Sequence, residues 1–199
     1  VLTHVVNPDL LLEDIDKKVR WVNFTHGSPS NSDLSDAHME LIDVNVVFSQ
    51  WLKTRLKDNS KSVIIPFPVD TDMFCPRDGT LQGDFVWHGR IAPEKRILPF
   101  AARFATEMVN EELTIVGGPD NTHCAAAMSA IQSPNVHFKG RMFDENLASI
   151  LSAHPYYVFM SEYECAPVAF VEALASGCSV YAIRPVSYTH LTLPTKRIV

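Results

Sequence analysis

From Asp84 onward, short apolar runs alternate with stretches of helical periodicity, and few folds accommodate that rhythm. The runs are Asp84–His88, Leu113–Val116, Asn135–Phe138, Tyr156–Met160 and Ser179–Ile183. The helical stretches are Glu94–Met108, Asn121–Ile131, Asp144–Ala153 and Pro167–Ser176. Strands separated by helices of this length predict a parallel, doubly wound α/β sheet. Ligands of such sheets bind beyond the carboxyl ends of the strands. Those ends read Gly89-Arg90, Gly117-Gly118, Gly140-Arg141 and Ser161-Glu162-Tyr163-Glu164. Small residues and charges therefore gather at one rim, which suits a polyanionic ligand.

Residues 1–65 read as strand, loop, strand, helix, strand, helix, strand. Arg20–Thr25 is a strand ending at His26-Gly27, followed by a polar loop from Ser28 to Asp33. Val44–Phe48 is a buried strand leading through Ser49 into an amphipathic helix over Trp51–Lys57, and Ser62–Ile65 is a strand stopped by Pro66 and Pro68. Residues 66–83 hold three of the thirteen prolines and two glycines without periodicity, the best linker in the chain. We expect one α/β domain over 1–76 and a second over 77–184. Residues 185–199 resemble the translation of a transposase adapter used in short-read library construction. They are expected to be non-native, which an independent clone sequenced across the junction checks.

With 46% hydrophobic and 20% charged residues the chain can build a core, and its net charge of −6 gives no nucleic-acid footprint. No run approaches the roughly 18–20 apolar residues of a membrane span. The four cysteines show no C-x-x-C pair. The expectation is a reduced, cytoplasmic protein with no metal, no cofactor and at most peripheral membrane contact.

Two stretches carry chemistry. In Ser161–Cys178, Pro167 stands where a first helical residue would be and Gly177 where the helix would stop. The helix between them is apolar nearly all round, so burial is expected; Glu172 and Ser176 interrupt it on one face. A buried carboxylate is costly unless something binds it. Helix N-terminal amides suit a phosphate, and a carboxylate deeper in the pocket can accept hydrogen bonds from a sugar or ribose diol. Two structural alternatives stand beside this: a capping box formed by Ser161-x-x-Glu164, and a core pair between Glu172 and an Arg or Lys. In Gly89-Arg90-Ile91-Ala92-Pro93-Glu94-Lys95, Lys95 falls in the first turn of a helix, where a cation opposes the dipole unless an anion sits there. A diphosphate would satisfy both Arg90 and Lys95; the alternative is a solvated loop in which Glu94 answers Lys95.

His88-Gly89-Arg90 with Glu94-Lys95, Leu113–Gly118, Val136–Gly140 and Glu164-x7-Glu172-Ala173-Leu174-Ala175-Ser176-Gly177 together resemble the donor domain of retaining family 4 glycosyltransferases of the GT-B fold. Val69-Asp70-Thr71-Asp72-Met73-Phe74-Cys75-Pro76 resembles that family's interdomain segment, and Asn45–Ser49 its last acceptor-domain strand. The resemblance covers about residues 20–184. It implies two Rossmann-like doubly wound domains, the first partial and the second nearly complete, and transfer of a hexosyl-type sugar from a nucleotide-diphosphate sugar to a glycan, lipid or small-molecule hydroxyl with retention. It further implies that Arg90 and Lys95 bind the diphosphate and stabilise it as leaving group, with Gly89 beside them. Glu172 would hold the ribose hydroxyls and Glu164 the donor sugar. The amides around Pro167, Val168 and Ala169 would face phosphate or sugar, and His26 would lie near the reaction centre. Cys165-Ala166-Pro167 departs from the family's usual loop between the two glutamates. The resemblance also implies truncation at both ends, with residues 1–199 inactive by themselves; glycosyl transfer by this chain would contradict that. The competing readings are a non-catalytic nucleotide- or glycan-binding module on this scaffold and a GT-B epimerase or phosphorylase.

Overall fold

A computed structural model describes residues 2–3, 20, 22–25, 42–56, 58–79, 81–162, 164 and 167–182. The chain forms two compact units, one built mainly on residues up to Phe67 and the other mainly on residues from Pro68, with Glu164 grouped with the first. The helix expected between the second and third strands, the loop after His26 and the 185–199 tail lie outside the described residues.

The first unit is a parallel sheet in the order β1 (Leu2–Thr3), β2 (Val22–Thr25), β3 (Val44–Val47), β4 (Ser62–Ile64). The strands expected at 20–25, 44–48 and 62–65 are present. β3 is central and buried, and its Asn45 lies opposite Asn23 on one side and Ser62 on the other. These polar residues bond across the sheet. Asn23 Nδ2 donates to Asn45 Oδ1 at 2.9 Å, Thr25 Oγ1 donates to the same oxygen at 2.9 Å, and Asn45 Nδ2 donates to Ser62 Oγ at 3.4 Å. The helix after β3 is shorter than the expected Trp51–Lys57. α1 spans only Gln50–Lys53, capped by Ser49 Oγ accepting from the Leu52 amide. Side chains take the carbonyls that would have carried it on: Thr54 Oγ1 donates to Trp51 O, and Asn59 Nδ2 to Lys53 O.

The second unit is a five-stranded parallel sheet in the order β7-β6-β5-β8-β9, with β5 Phe85–His88, β6 Leu113–Val116, β7 Val136–Gly140, β8 Tyr156–Phe159 and β9 Ser179–Ala182. Successive strands run outward from β5 to β7, then restart at β8 on the other side. That is the doubly wound arrangement read from the alternation, and its switch point lies between β5 and β8. Helices α2 (Ile97–Glu107), α3 (Thr122–Ala130), α4 (Asp144–Ser152) and α5 (Val168–Ala175) connect the strands. The core gathers Val86, Trp87, Leu113, Ile115, Tyr157 and Val158 from the strands with Ile97, Ala101, Phe104, Ala148 and Leu151 from the helices.

Three helix expectations are corrected. α2 does not begin at Glu94: Pro93–Lys95 is a 3-10 turn, and Arg96 follows in the left-handed region (φ 53°), so the α-helix starts at Ile97. α5 begins at Val168, with Pro167 as its N-cap rather than its first helical residue. Ser161 and Glu164 therefore stand too far upstream to form its capping box. Nor is α5 buried all round. It packs on β9 and α4 with Ala173 inside, and most of its other residues are half-exposed among the described residues. Its C-terminus closes as the sequence suggests: Gly177 (φ 91°) donates to Leu174 O and Cys178 to Ala173 O, a Schellman end. Pro76 packs 3.2 Å from where a Gly177 Cβ would stand. Upstream, Asp70 Oδ1 accepts from the amides of Asp72 and Met73, and the turn seats Phe74 in the interior.

The end of the sheet remote from the rim is tied down by buried polar groups. The Cys178 thiol, pushed up to about 11 by burial, donates to the carbonyls of Leu151 and His154. His154 Nδ1 lies 2.8 Å from Ile150 O, so it carries the proton, and Nε2 accepts from Thr114 Oγ1 at 3.0 Å. Burial holds the His154 pKa below its ordinary 6.5, outweighing the carbonyl contact. The unfolded chain thus binds a proton that the folded chain refuses. This contribution to stability is complete above about pH 6.5 and is lost as the pH falls below it. Thermal midpoints should hold between about pH 8 and 7 and decline below 6.5. His154→Gln should flatten that acid limb; a variant keeping the full slope would rule the histidine out.

Candidate functional site

The rim at the carboxyl ends of β5, β6 and β7 is built from backbone. Past the last ladder pairs the loops continue to bond: Gly89 N donates to Val116 O, Ile91 N to Gly118 O, Asp120 N to Ile91 O, and Gly117 N to Gly140 O at 2.7 Å. The chains approach so closely that a Cβ on Gly117 (φ 155°) would stand 1.9 Å from Gly89 O. Arg141 lies over Gly118 in the same way, with its Nε 2.6 Å from a would-be Cβ, and remains exposed. At Gly117 the obstacle is backbone and no side chain fits, whereas nothing lies within 4 Å of a Cβ at Gly140.

This zipper brings Arg90 and Asp120 together. The Arg90 guanidinium, 54% exposed, is bracketed by Glu94 Oε1 at 2.7 Å and Asp120 Oδ2 at 2.9 Å. Glu94 thus answers Arg90, where the alternative of a solvated loop has it answer Lys95. Lys95, half-buried, closes the 3-10 turn just before α2, so it stands ahead of that helix's N-terminus rather than in its first turn. The turn is fastened to the end of β8: Glu162 N donates to Glu94 O at 2.8 Å, and Arg96 pairs with Glu162 at 2.8 Å. The loops after β5, β6 and β8 therefore form one connected rim around the switch point.

Glu172 projects from α5 toward β5. Its Oε2 lies 2.8 Å from Nε2 of His88, with side-chain exposures of 19% and 7%. A carboxylate only accepts, so Nε2 carries the proton and donates. A core partner for Glu172 thus exists, but it is a histidine and not the Arg or Lys considered from sequence. The His88 ring meets Tyr157 at 5.4 Å, edge to face. The ladder between β5 and β8 has only two paired positions, Phe85↔Tyr156 and Val86↔Tyr157. Beyond them the Tyr157 hydroxyl donates to His88 O at 3.2 Å and stands 3.5 Å from His88 N. A phenol serves where a strand rung would be, and the two strands part above it.

Among the other expected site residues, Pro167, Val168 and Ala169 form the half-buried start of α5, and Glu164 is half-buried in the connection between β8 and α5. His26, Cys165 and Ala166 lie outside the described residues. An apolar cavity of about 510 Å³ between α2 and α3, bounded by Leu98, Ala102, His123 and Ala127, contains none of the expected site residues. Sequence reasoning missed Asp120, His88 and Tyr157. His88 carried a signal, a polar residue closing a buried strand; the other two carried none, because their partners are remote in sequence.

Residues 82–187 match the family model described as glycosyl transferases group 1, just over half of the chain. No curated protein matches significantly. Several solved structures do. Sucrose-phosphate synthase from Thermosynechococcus elongatus gives a TM-score of 0.71 at 21% identity, covering 88% of this chain and 53% of that one. Anabaena HepE, solved with UDP and glucose, gives 0.66 at 16% identity, covering 84% and 54%. AviGT4, a glycosyltransferase of avilamycin A biosynthesis, gives 0.62 at 18% identity, covering 82% and 48%. At these identities the likeness is one of fold, and the chain spans about half the length of those structures. The doubly wound parallel sheet, the glycine-built rim and the matched sequence agree: the chain belongs to the glycosyl transferases group 1 family.

Proposed function

We propose that the second unit binds a nucleotide-diphosphate sugar at the switch-point crevice, as the donor side of an enzyme that transfers a hexosyl-type sugar to a hydroxyl acceptor with retention. The observation that carries this reading is Glu172. It is a carboxylate on an apolar helix, 19% exposed and held by a buried histidine at the place where doubly wound sheets take ligands. In this reading Glu172 accepts from the ribose hydroxyls. Arg90 and Lys95 meet the diphosphate beside Gly89, Glu164 meets the donor sugar, and the amides from Pro167 to Ala169 face phosphate or sugar. His26 belongs to the acceptor side, which residues 1–76 supply in part; the acceptor is a glycan, lipid or small molecule.

The chemistry suits these residues. Glycosyl transfer passes through an oxocarbenium-like state while negative charge builds on the departing oxygen. Cations fixed in advance at that oxygen stabilise it without reorganisation. Arg90 is already oriented by Glu94 and Asp120, and a diphosphate would compete with those carboxylates for its fork.

Thermal melting against UDP, GDP and ADP and their sugars, beside Glu172→Ala, tests the reading. UDP is the first probe because the HepE structure contains it. A ligand at about 100 times its Kd adds about 2.7 kcal/mol, so one nucleotide should raise the midpoint by several degrees and Glu172→Ala should remove the gain. A cooperative melt that no nucleotide shifts would overturn the donor site.

A further inference from the structure

We propose that His88 is a positioning residue for ribose recognition: its Nε2–H fixes the Glu172 carboxylate in the orientation that accepts a nucleotide's ribose hydroxyls. The proposal rests on the reading that Glu172 faces the ribose, and adds what makes that carboxylate selective.

A glutamate side chain has three rotatable bonds, and a carboxylate free to turn reads a diol weakly because its ordering must be met on binding. Here one oxygen is pinned at 2.8 Å by an imidazole that is itself held. The ring is 7% exposed, packs edge-on to Tyr157, and its backbone is clamped by the Tyr157 hydroxyl. His88 Nδ1 is buried without a hydrogen-bond partner among the described residues. The ring's one described polar contact is therefore the carboxylate, which settles which nitrogen faces Glu172. With Oε2 engaged, Oε1 retains its lone pairs, and Glu172 keeps 19% of its side-chain surface exposed. The phenol holds the strand end, and the strand end holds one carboxylate oxygen of the helix.

A purely structural histidine would matter for stability alone. A positioning one sets the ratio of affinities for a ribonucleotide and its deoxy counterpart. Isothermal calorimetry with UDP, GDP and ADP, each against its 2′-deoxy and 3′-deoxy counterparts, reads that ratio on the full chain. The unsubstituted protein should prefer the ribonucleotide by about tenfold or more, the worth of a charge-assisted hydrogen bond. His88→Met, which removes the donor, should cut the preference to about twofold or less. His88→Gln, whose amide can donate to the carboxylate, should restore most of it. Should His88→Met fail to fold, Tyr157→Phe loosens the histidine without touching the carboxylate and should lower the ratio two- to threefold on the same scale. If Glu172→Ala abolishes the preference while His88→Met and Tyr157→Phe leave it intact, the positioning role is overturned and the donor site stands. If no nucleotide binds, or Glu172→Ala leaves the ratio unchanged, the donor-site reading fails and this proposal with it.

Discussion

Gly117→Ala should destabilise the second unit by about 2–6 kcal/mol and abolish the nucleotide binding proposed for it. Two costs combine. The native φ of 155° is one that an L side chain rarely adopts, worth about 1–3 kcal/mol. The added Cβ would also stand 1.9 Å from Gly89 O, an overlap relieved only by pushing the β5 and β6 loops apart, at about 1–3 kcal/mol more. The loops that part carry Arg90 and Asp120, so the damage falls on the rim. Gly140→Ala is the control: its φ is 73°, but nothing lies within 4 Å of its Cβ, so about 1–2 kcal/mol is expected. Denaturant midpoints of both variants check the contrast. Equal costs would mean that the close approach at Gly117 does not constrain the fold.

Asn45→Val should be the most damaging conservative change in the first unit. Asn45 is fully buried in the central strand, accepting from Asn23 and Thr25 and donating to Ser62. Valine fills similar space and favours strands, but it leaves those polar groups buried without their shared partner. At about 1–3 kcal/mol for each group stranded, a loss of about 2–4 kcal/mol is expected, since Asn23 keeps its bond to Thr25 at 3.2 Å. Ser62→Ala, which removes only the long 3.4 Å bond, should cost under about 1 kcal/mol. Hydrogen exchange at the β3 amides measures both; a neutral Asn45→Val would show that the polar ladder is not what holds the strands in register.

The inner strands β3, β5, β6 and β8 were legible in the sequence because they are buried runs, and burial in a two-sided parallel sheet leaves a continuous apolar signature. The ends of helices were less so. Arg96 adopts a left-handed conformation that its residue type does not advertise, so the break before Ile97 is invisible in the sequence. Thr54 and Asn59 end α1 through bonds to its own carbonyls, where apolar spacing alone continues the helix to Lys57. Ser161-x-x-Glu164 has the form of a capping box, yet the next helix starts at Val168. Within the site, the glycines and Arg90 were readable as residues left over at strand ends. The pairing of His88 with Glu172, 84 residues apart, and of Arg90 with Asp120 is tertiary. Local pattern contains no record of it.

The seam between β5 and β8 has one further consequence. Elsewhere the sheet is joined by backbone rungs, which every residue but proline supplies. Above Val86 the join is a tyrosine hydroxyl reaching the His88 peptide. Among point mutations only one to proline removes a backbone rung, whereas almost any substitution removes a phenol. The join between β5 and β8 at His88 therefore rests on a single codon.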